Sequence, residues 1–155
     1  LKAIGEYNNE IKFTRIDIAL DDNEETVPFS KIENKLKNGH YRSIKKTYNI
    51  VSKSNVHQEV KSKTIYIGNH RSDNGAKGTV HLKIYDKKAQ YEDKNLIPPE
   101  EYREHWQRYE IVYTKKHAQK LAEKLAKGES VETIFKKSLR RLLELLVPSK
   151  TETNK

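Results

Sequence analysis

Two stretches, Lys63-Thr64-Ile65-Tyr66-Ile67-Gly68 and Thr79-Val80-His81-Leu82-Lys83-Ile84-Tyr85-Asp86-Lys87, decide how the chain is read. Each alternates apolar and polar side chains, the pattern of a strand with one buried face. The segment between them, Asn69-His70-Arg71-Ser72-Asp73-Asn74-Gly75-Ala76-Lys77-Gly78, carries the glycines and asparagines of a turn. The two stretches therefore pair as an antiparallel hairpin. On its return strand Leu82 and Ile84 point one way, and Lys83, Tyr85 and Lys87 the other.

Toward the N-terminus, residues 11–21 alternate again, with Ile16, Ile18 and Leu20 opposite Arg15, Asp17, Ala19 and Asp21. After the Asp22-Asn23 turn, Phe29, Ile32 and Leu36 recur at helical spacing before Gly39, which predicts one short helix. From Ser43 to Val60 the β-branched and Tyr content predicts a strand around Lys45 to Val51, then a polar turn at Ser52 to Asn55. Toward the C-terminus, Pro98-Pro99 breaks the chain before a strand over 105–113. That strand sets Arg108 and Glu110 opposite Tyr109, Ile111 and Tyr113, with Val112 sharing the polar side. Two helices follow. The first runs from about Lys115 to Lys127 with Ala118, Leu121, Ala122 and Leu125 inward, and Gly128 stops it. The second starts from a Ser130 cap, carries Val131, Ile134, Phe135, Leu139, Leu142, Leu143 and Leu146 as an apolar stripe, and ends at Pro148. The order β-α-β-β-β-β-α-α predicts an α+β fold, a mostly antiparallel five-stranded sheet covered by helices. The expected core spans 1–148 with a polar tail over 149–155. Because the chain starts at Leu1 and not at Met, flanking domains stay open.

Of the 155 residues, 34% are hydrophobic and 34% charged, enough for one economical core and not for two separately packed domains. The absence of Cys excludes a disulfide scaffold, thiol catalysis and Cys-ligated metal centres. No apolar run approaches the roughly 20 residues that span a bilayer, so a soluble, cytoplasmic protein with no membrane partner is expected. Against 22 Asp and Glu stand 31 Lys and Arg, and the net charge of +9 favours a polyanion as partner. The charge is segregated: the first 30 residues are acidic, whereas 31–63 and 115–150 are strongly basic. Carboxylates amid so many cations either hold a metal ion or balance the surface charge.

If the polar faces of three strands share one side of the sheet, Arg15, Asp17, Asp21, Lys83, Tyr85, Lys87, Arg108 and Glu110 converge there. Such a surface suits phosphotransfer. Carboxylate oxygens are the ligands that Mg²⁺ and Mn²⁺ prefer, and a bound divalent ion polarises a phosphoryl oxygen. Asp17 and Glu110 are the expected ligands, with Asp21 as a third or water-mediated one. A Tyr phenol can attack a phosphodiester and keep the product as a phosphotyrosine. With an ordinary pKa near 10 it needs help, which the flanking Lys83 and Lys87 are expected to give by favouring the phenolate. The plain alternative is that charged residues on a strand's solvent face stay wet and the nine Tyr mostly pack. His81 shares the parity of Tyr85 and borders the same face. No His-x-His pair occurs, so the His-hydrophobe-His signature of most rolling-circle nucleases is absent, and the lack of a glycine-rich phosphate loop argues against an ATPase.

Four blocks in order, Thr14-Arg15-Ile16-Asp17-Ile18-Ala19-Leu20-Asp21-Asp22, Thr64-Ile65-Tyr66-Ile67-Gly68 with Arg71-Ser72-Asp73, Lys83-Ile84-Tyr85-Asp86-Lys87, and Trp106-Gln107-Arg108-Tyr109-Glu110-Ile111, resemble the Rep_trans family. That family comprises replication initiators of rolling-circle plasmids, related phage proteins and some conjugative relaxases. The resemblance implies a metal-dependent DNA nickase that forms a 5′-phosphotyrosine at a replication or transfer origin and leaves a free 3′-OH. It implies Tyr85 as nucleophile, assisted by Lys83, Lys87 and Arg108, and Asp17 and Glu110 as Mg²⁺ or Mn²⁺ ligands. It also implies origin DNA, single-stranded or cruciform, as partner, along with a homodimer and a host helicase. Lys83 departs from the usual Arg, Gln90 from an acidic residue, and the turn from Asp73 to Leu82 is long. Arg15, Lys45, Lys46, Arg71, Lys136, Lys137, Arg140 and Arg141 are the expected DNA-phosphate contacts. The alternative from a different class is a non-catalytic DNA-binding module or regulator of the same fold. The Leu-rich last helix serves either self-association or cover for the sheet.

Overall fold

A computed structural model describes residues 11–57, 60–68 and 78–147. Five strands form one antiparallel sheet in the order β1-β6-β5-β4-β3, built from β1 (Arg15–Asp22), β3 (Tyr48–Ser54), β4 (Val60–Ile67), β5 (Val80–Asp86) and β6 (Gln107–Thr114). The helices are α1 (Phe29–Lys37), α2 (Lys87–Asp93), α3 (Lys116–Ala126) and α4 (Val131–Leu142), with a 3₁₀ turn at Glu100–Tyr102. A two-residue ribbon pairs β2 (Tyr41–Arg42) with β7 (Glu144–Leu145). The α+β class and the antiparallel sheet are as the alternation predicts. Among the described residues no helix is long and apolar enough to cross a membrane.

The alternating strands put Ile18, Ile65, Ile67, Leu82, Ile84 and Ile111 on one face, where they are buried under Ile32 and Leu36 of α1, Leu121 of α3 and Ile134, Phe135 and Leu142 of α4. The α4 stripe thus covers the sheet, except for Val131, which is exposed. Lys63 reaches across this side to Glu33 of α1 at 3.0 Å, and Lys37 reaches the same carboxylate at 2.9 Å. At the start of β5, Gly78 has φ +70°, and a Cβ there would lie 2.3 Å from the Thr114 carbonyl oxygen, so only glycine permits the close approach to β6.

Several boundaries differ from the sequence-based expectation. β1 begins at Arg15 and not at Ile11. The strand expected around Lys45 to Val51 is β3, shifted to Tyr48–Ser54 because it pairs along β4, so Ser52 to Ser54 are strand and not turn. Lys87 does not continue β5. Asp86 accepts a hydrogen bond from the Ala89 N–H at 2.9 Å, caps α2 and turns the chain. The last helix stops at Leu142, where Leu143 becomes extended so that Glu144–Leu145 can pair with Tyr41–Arg42. The expected turn over 69–77, the break at Pro148 and the polar tail lie outside the described residues.

Candidate active site

Cross-strand register decides which side chains meet, because directly opposed residues share a face. Asp21 of β1 lies opposite Arg108 of β6, which lies opposite Tyr85 of β5, which lies opposite Thr64 of β4. In the next row Ala19, Glu110, Lys83 and Tyr66 stand in line, and beyond it Asp17, Val112 and His81. All of these lie on the face away from the three large helices. Arg15, Asp17, Asp21, Lys83, Tyr85, Arg108 and Glu110 are therefore brought together on it. Lys87 joins them from the first turn of α2, with its Nζ 5.8 Å from the Tyr85 ring centre.

Arg108 forms a fork with Asp21, Nε to Oδ1 at 2.7 Å and NH2 to Oδ2 at 2.8 Å. Trp106 Nε1 donates to the same Oδ1 at 2.8 Å. The indole is itself wedged between the rings of Tyr102 (4.4 Å between centres, stacked) and Tyr91 (4.8 Å). Burial works to raise the Asp21 carboxyl, but the Arg108 and Trp106 hydrogen bonds and the charges of Arg108 and Lys87 outweigh it and hold the carboxyl below its ordinary value. Both Asp21 oxygens are thus engaged by protein donors, which ties this residue to Arg108 more directly than to an ion.

Tyr85 is 6% exposed, and its hydroxyl donates to Glu110 Oε2 at 3.2 Å. Burial first, then the Glu110 charge and hydrogen bond, push the phenol up to about 12, against the opposing effect of Arg108. This direction is opposite to the help expected from the flanking lysines. Lys83 Nζ sits over the ring face, 4.6 Å from its centre, so its charge meets the π-cloud and not the oxygen. Lys87 is lowered, chiefly by burial and then by Arg108. It donates to Gln90 Oε1 at 2.7 Å, which gives Lys87 a neutral partner.

Asp17 and Asp21 are both diagonal neighbours of Glu110, flanking the small Ala19 directly opposite it. Asp17 is held by Arg15, Nε to Oδ1 at 2.8 Å and NH2 to Oδ2 at 2.7 Å. The Arg15 guanidinium is raised, first by the Asp17 hydrogen bond and, after burial opposes it, by the charges of Asp17 and Glu110. Arg15 thus supplies positive charge beside the two carboxylates expected to bind a divalent ion. No group of three or more His, Cys, Asp or Glu among the described residues is placed to hold a metal. Asp17 and Glu110 supply two carboxylates of the kind Mg²⁺ and Mn²⁺ prefer, so an ion there would need water or substrate oxygen to complete its shell.

Beside Tyr85 a groove of about 580 Å³ runs between the sheet and α2, lined by Tyr66, Lys83 and Tyr85 and by Lys53, Lys61, Lys63 and Lys94. Lys53 pairs with Asp93 of α2 across it. Sequence reasoning missed this groove and the Trp106 bracket, although Asp86 three residues before Ala89 is a helix-cap signal that marks α2. Of the expected DNA contacts, Lys136 pairs with Glu132 at 2.6 Å, Lys46, Lys137 and Arg140 are exposed, and Lys45 and Arg141 line a separate cavity. Arg71 lies outside the described residues. The α4 cations belong to the helix side, whereas Lys53, Lys61 and Lys63 of the 31–63 basic segment line the groove beside Tyr85, so the two basic regions do not form one surface.

The sequence model of the replication initiation factor family matches residues 11–155. Among solved structures, the fold is similar to that of a rolling circle replication initiator protein from Geobacillus stearothermophilus, with a TM-score of 0.74 and 22% identity. The likeness covers 94% of this chain and 50% of that one, so the chain spans about half the length of its structural relative. No curated protein matches the sequence.

Proposed function

The chain belongs to the replication initiation factor family, and from that premise we propose that it nicks one DNA strand through Tyr85. The Tyr85 oxygen attacks a backbone phosphorus, forming the O–P bond of a 5′-phosphotyrosine as the bond to the 3′-oxygen breaks. The phenol proton passes to Glu110 Oε2, and the departing 3′-oxygen takes a proton from water to become the free 3′-OH. Arg108, fixed by Asp21 beside the phenol, and Lys83 and Lys87 offset the negative charge that accumulates on the transferring phosphoryl group. The groove lined by Lys53, Lys61 and Lys94 is the path for the strand next to the cleaved bond. Asp17 and Glu110 would hold Mg²⁺ or Mn²⁺, which when bound supplies polarisation of a phosphoryl oxygen. Arg15 must then release Asp17.

The observation that carries this reading is the 3.2 Å hydrogen bond from Tyr85 to Glu110, flanked by a locked Arg108, on the open face of the sheet. It is tested by incubating the protein with a single-stranded origin oligonucleotide in Mn²⁺ or chelator and resolving covalent adducts on a denaturing gel. Wild type forms an adduct in Mn²⁺ only; Tyr85→Phe forms none but keeps its fold and DNA affinity. An adduct in Tyr85→Phe that is lost in Tyr66→Phe moves the nucleophile to Tyr66. If wild type forms none with Mn²⁺ and any flanking domains present, the chain is instead a DNA-binding module of this family.

A further inference from the structure

On the helix side of the sheet lies a second cavity of about 340 Å³, enclosed by α3, α4, the start of β5 and the chain entering β3. Its floor is apolar, and five cationic or protonatable groups ring it: Lys45, His117, Lys120, Lys124 and Arg141. Among the described residues no carboxylate lines it. None of the five takes part in an ion pair among the described residues. Their convergence is built by the backbone. The Ile44 N–H donates to the Arg141 carbonyl at 3.0 Å, which sets Lys45 beside Arg141. Gly68, at φ +91°, leaves room for the Lys45 stem, because a Cβ there would lie 3.2 Å from Lys45 Cγ and 3.3 Å from Cδ.

Like charges gathered over an apolar floor repel each other and lose water without compensation. Burial, then the Arg141 charge, holds the Lys45 ammonium below its ordinary value. Burial, then Lys45 and Lys120, holds the His117 imidazole below its own. An anion in the cavity relieves both. At the cavity Val80 stands five residues along β5 from Tyr85, about 17 Å at strand spacing, and points to the opposite face of the sheet. The cavity therefore shares no lining residue with the Tyr85 groove.

We propose that this cavity is a phosphate-binding site, distinct from the Tyr85 face, and that the phosphate it takes is a backbone phosphate of DNA held on the helix side. Its assignment to DNA rests on the functional reading above, whereas the anion site itself does not. The test follows the His117 imidazole by NMR through a pH titration of the full chain, in chloride and in inorganic phosphate at equal ionic strength. Phosphate raises the His117 midpoint relative to chloride, because a neighbouring phosphate anion favours the charged ring. His117→Asn removes the signal that moves and so identifies it. Lys45→Met and Arg141→Gln each weaken phosphate affinity about tenfold, the loss of one charge-assisted contact. A DNA duplex without terminal phosphates shifts the midpoint in the same direction and competes with inorganic phosphate. A midpoint unmoved by both phosphate and duplex overturns the site, and a response to phosphate alone overturns DNA as its source. Tyr85→Phe keeps the His117 response while losing the covalent adduct, so failure of the nicking reading and failure of this site are read separately.

Discussion

Asparagine in place of Asp21 keeps the side chain's shape and one oxygen, which still accepts from Trp106 and Arg108 Nε, but removes the charge and puts an NH2 donor where the other oxygen accepted from Arg108 NH2. What is lost is the charge assistance of a fork at 2.7 and 2.8 Å, together with its Oδ2 bond, between side chains that are each 24% exposed. Charge-assisted hydrogen bonds contribute about 1.5 to 3 kcal/mol and exposed ion pairs about 0.2 to 1 kcal/mol. This half-buried pair falls between them, so Asp21→Asn should cost about 1 to 2 kcal/mol at neutral pH. For a chain of this size that is a fall in Tm of about 2 to 8 °C. The pH dependence supplies the sharper check. The folded Asp21 carboxyl titrates below its ordinary value, so its contribution is complete above the unfolded value of about 3.9 and is lost as pH falls through the folded one. Urea unfolding of wild type and Asp21→Asn across a series from about pH 7 to pH 3 should show a gap that narrows on the acid side. A gap that is constant with pH, or absent at pH 7, would refute the argument that the Asp21 charge fixes Arg108.

Glu110→Gln removes the second cause of the raised Tyr85 phenol and should bring its titration down from about 12; ultraviolet difference titration of wild type, Glu110→Gln and Tyr85→Phe isolates the signal. Because the folded phenol lies above its unfolded value, its contribution to stability is complete below about pH 10 and is lost as pH rises toward about 12. Leu142→Ala empties a site that is 1% exposed at the end of α4 and should destabilise by about 2 to 5 kcal/mol, read by denaturant midpoint. DNA affinity should fall with salt at a log–log slope of about −0.7 to −0.9 per phosphate neutralised, measured by fluorescence anisotropy, and a flat dependence would defeat the charge argument.

The face that carries the candidate site was legible because period-two alternation is a strictly local signal. Asp17, Arg108, Glu110 and Tyr85 each stand at the polar parity of an alternating stretch, and the antiparallel order of the sheet then puts those parities on one side. The ends of elements were less legible because tertiary pairing sets them. Leu143 and Leu146 continue the helical spacing of α4, yet the hydrogen bonds that Glu144–Leu145 find on Tyr41–Arg42 turn the chain first. Lys87 continues the parity of Tyr85, but α2 has no buried residue and so leaves no apolar period to read, only the Asp86 cap.

Register was the information the sequence withheld, and it governs the electrostatics. Parity says that two aspartates, one glutamate and several cations share a face; it does not say which carboxylate meets which cation. The β1–β6 register sets Asp21 opposite Arg108, and that pairing consumes the Asp21 charge. It also sets Ala19 opposite Glu110, so Glu110 has no direct partner on β1, and its carboxylate turns the other way, to the Tyr85 hydroxyl. Burial first, and then this negative charge against the phenol, raise the Tyr85 hydroxyl above its ordinary value. The chemistry proposed for Tyr85 needs that proton to leave, and the same Glu110 is where it goes. Positive charge brought beside Glu110 eases ionisation of the phenol while weakening Glu110 as the proton's acceptor. The Arg15 guanidinium, paired with Asp17 diagonal to Glu110, is one such positive charge, because the Glu110 charge contributes to raising it.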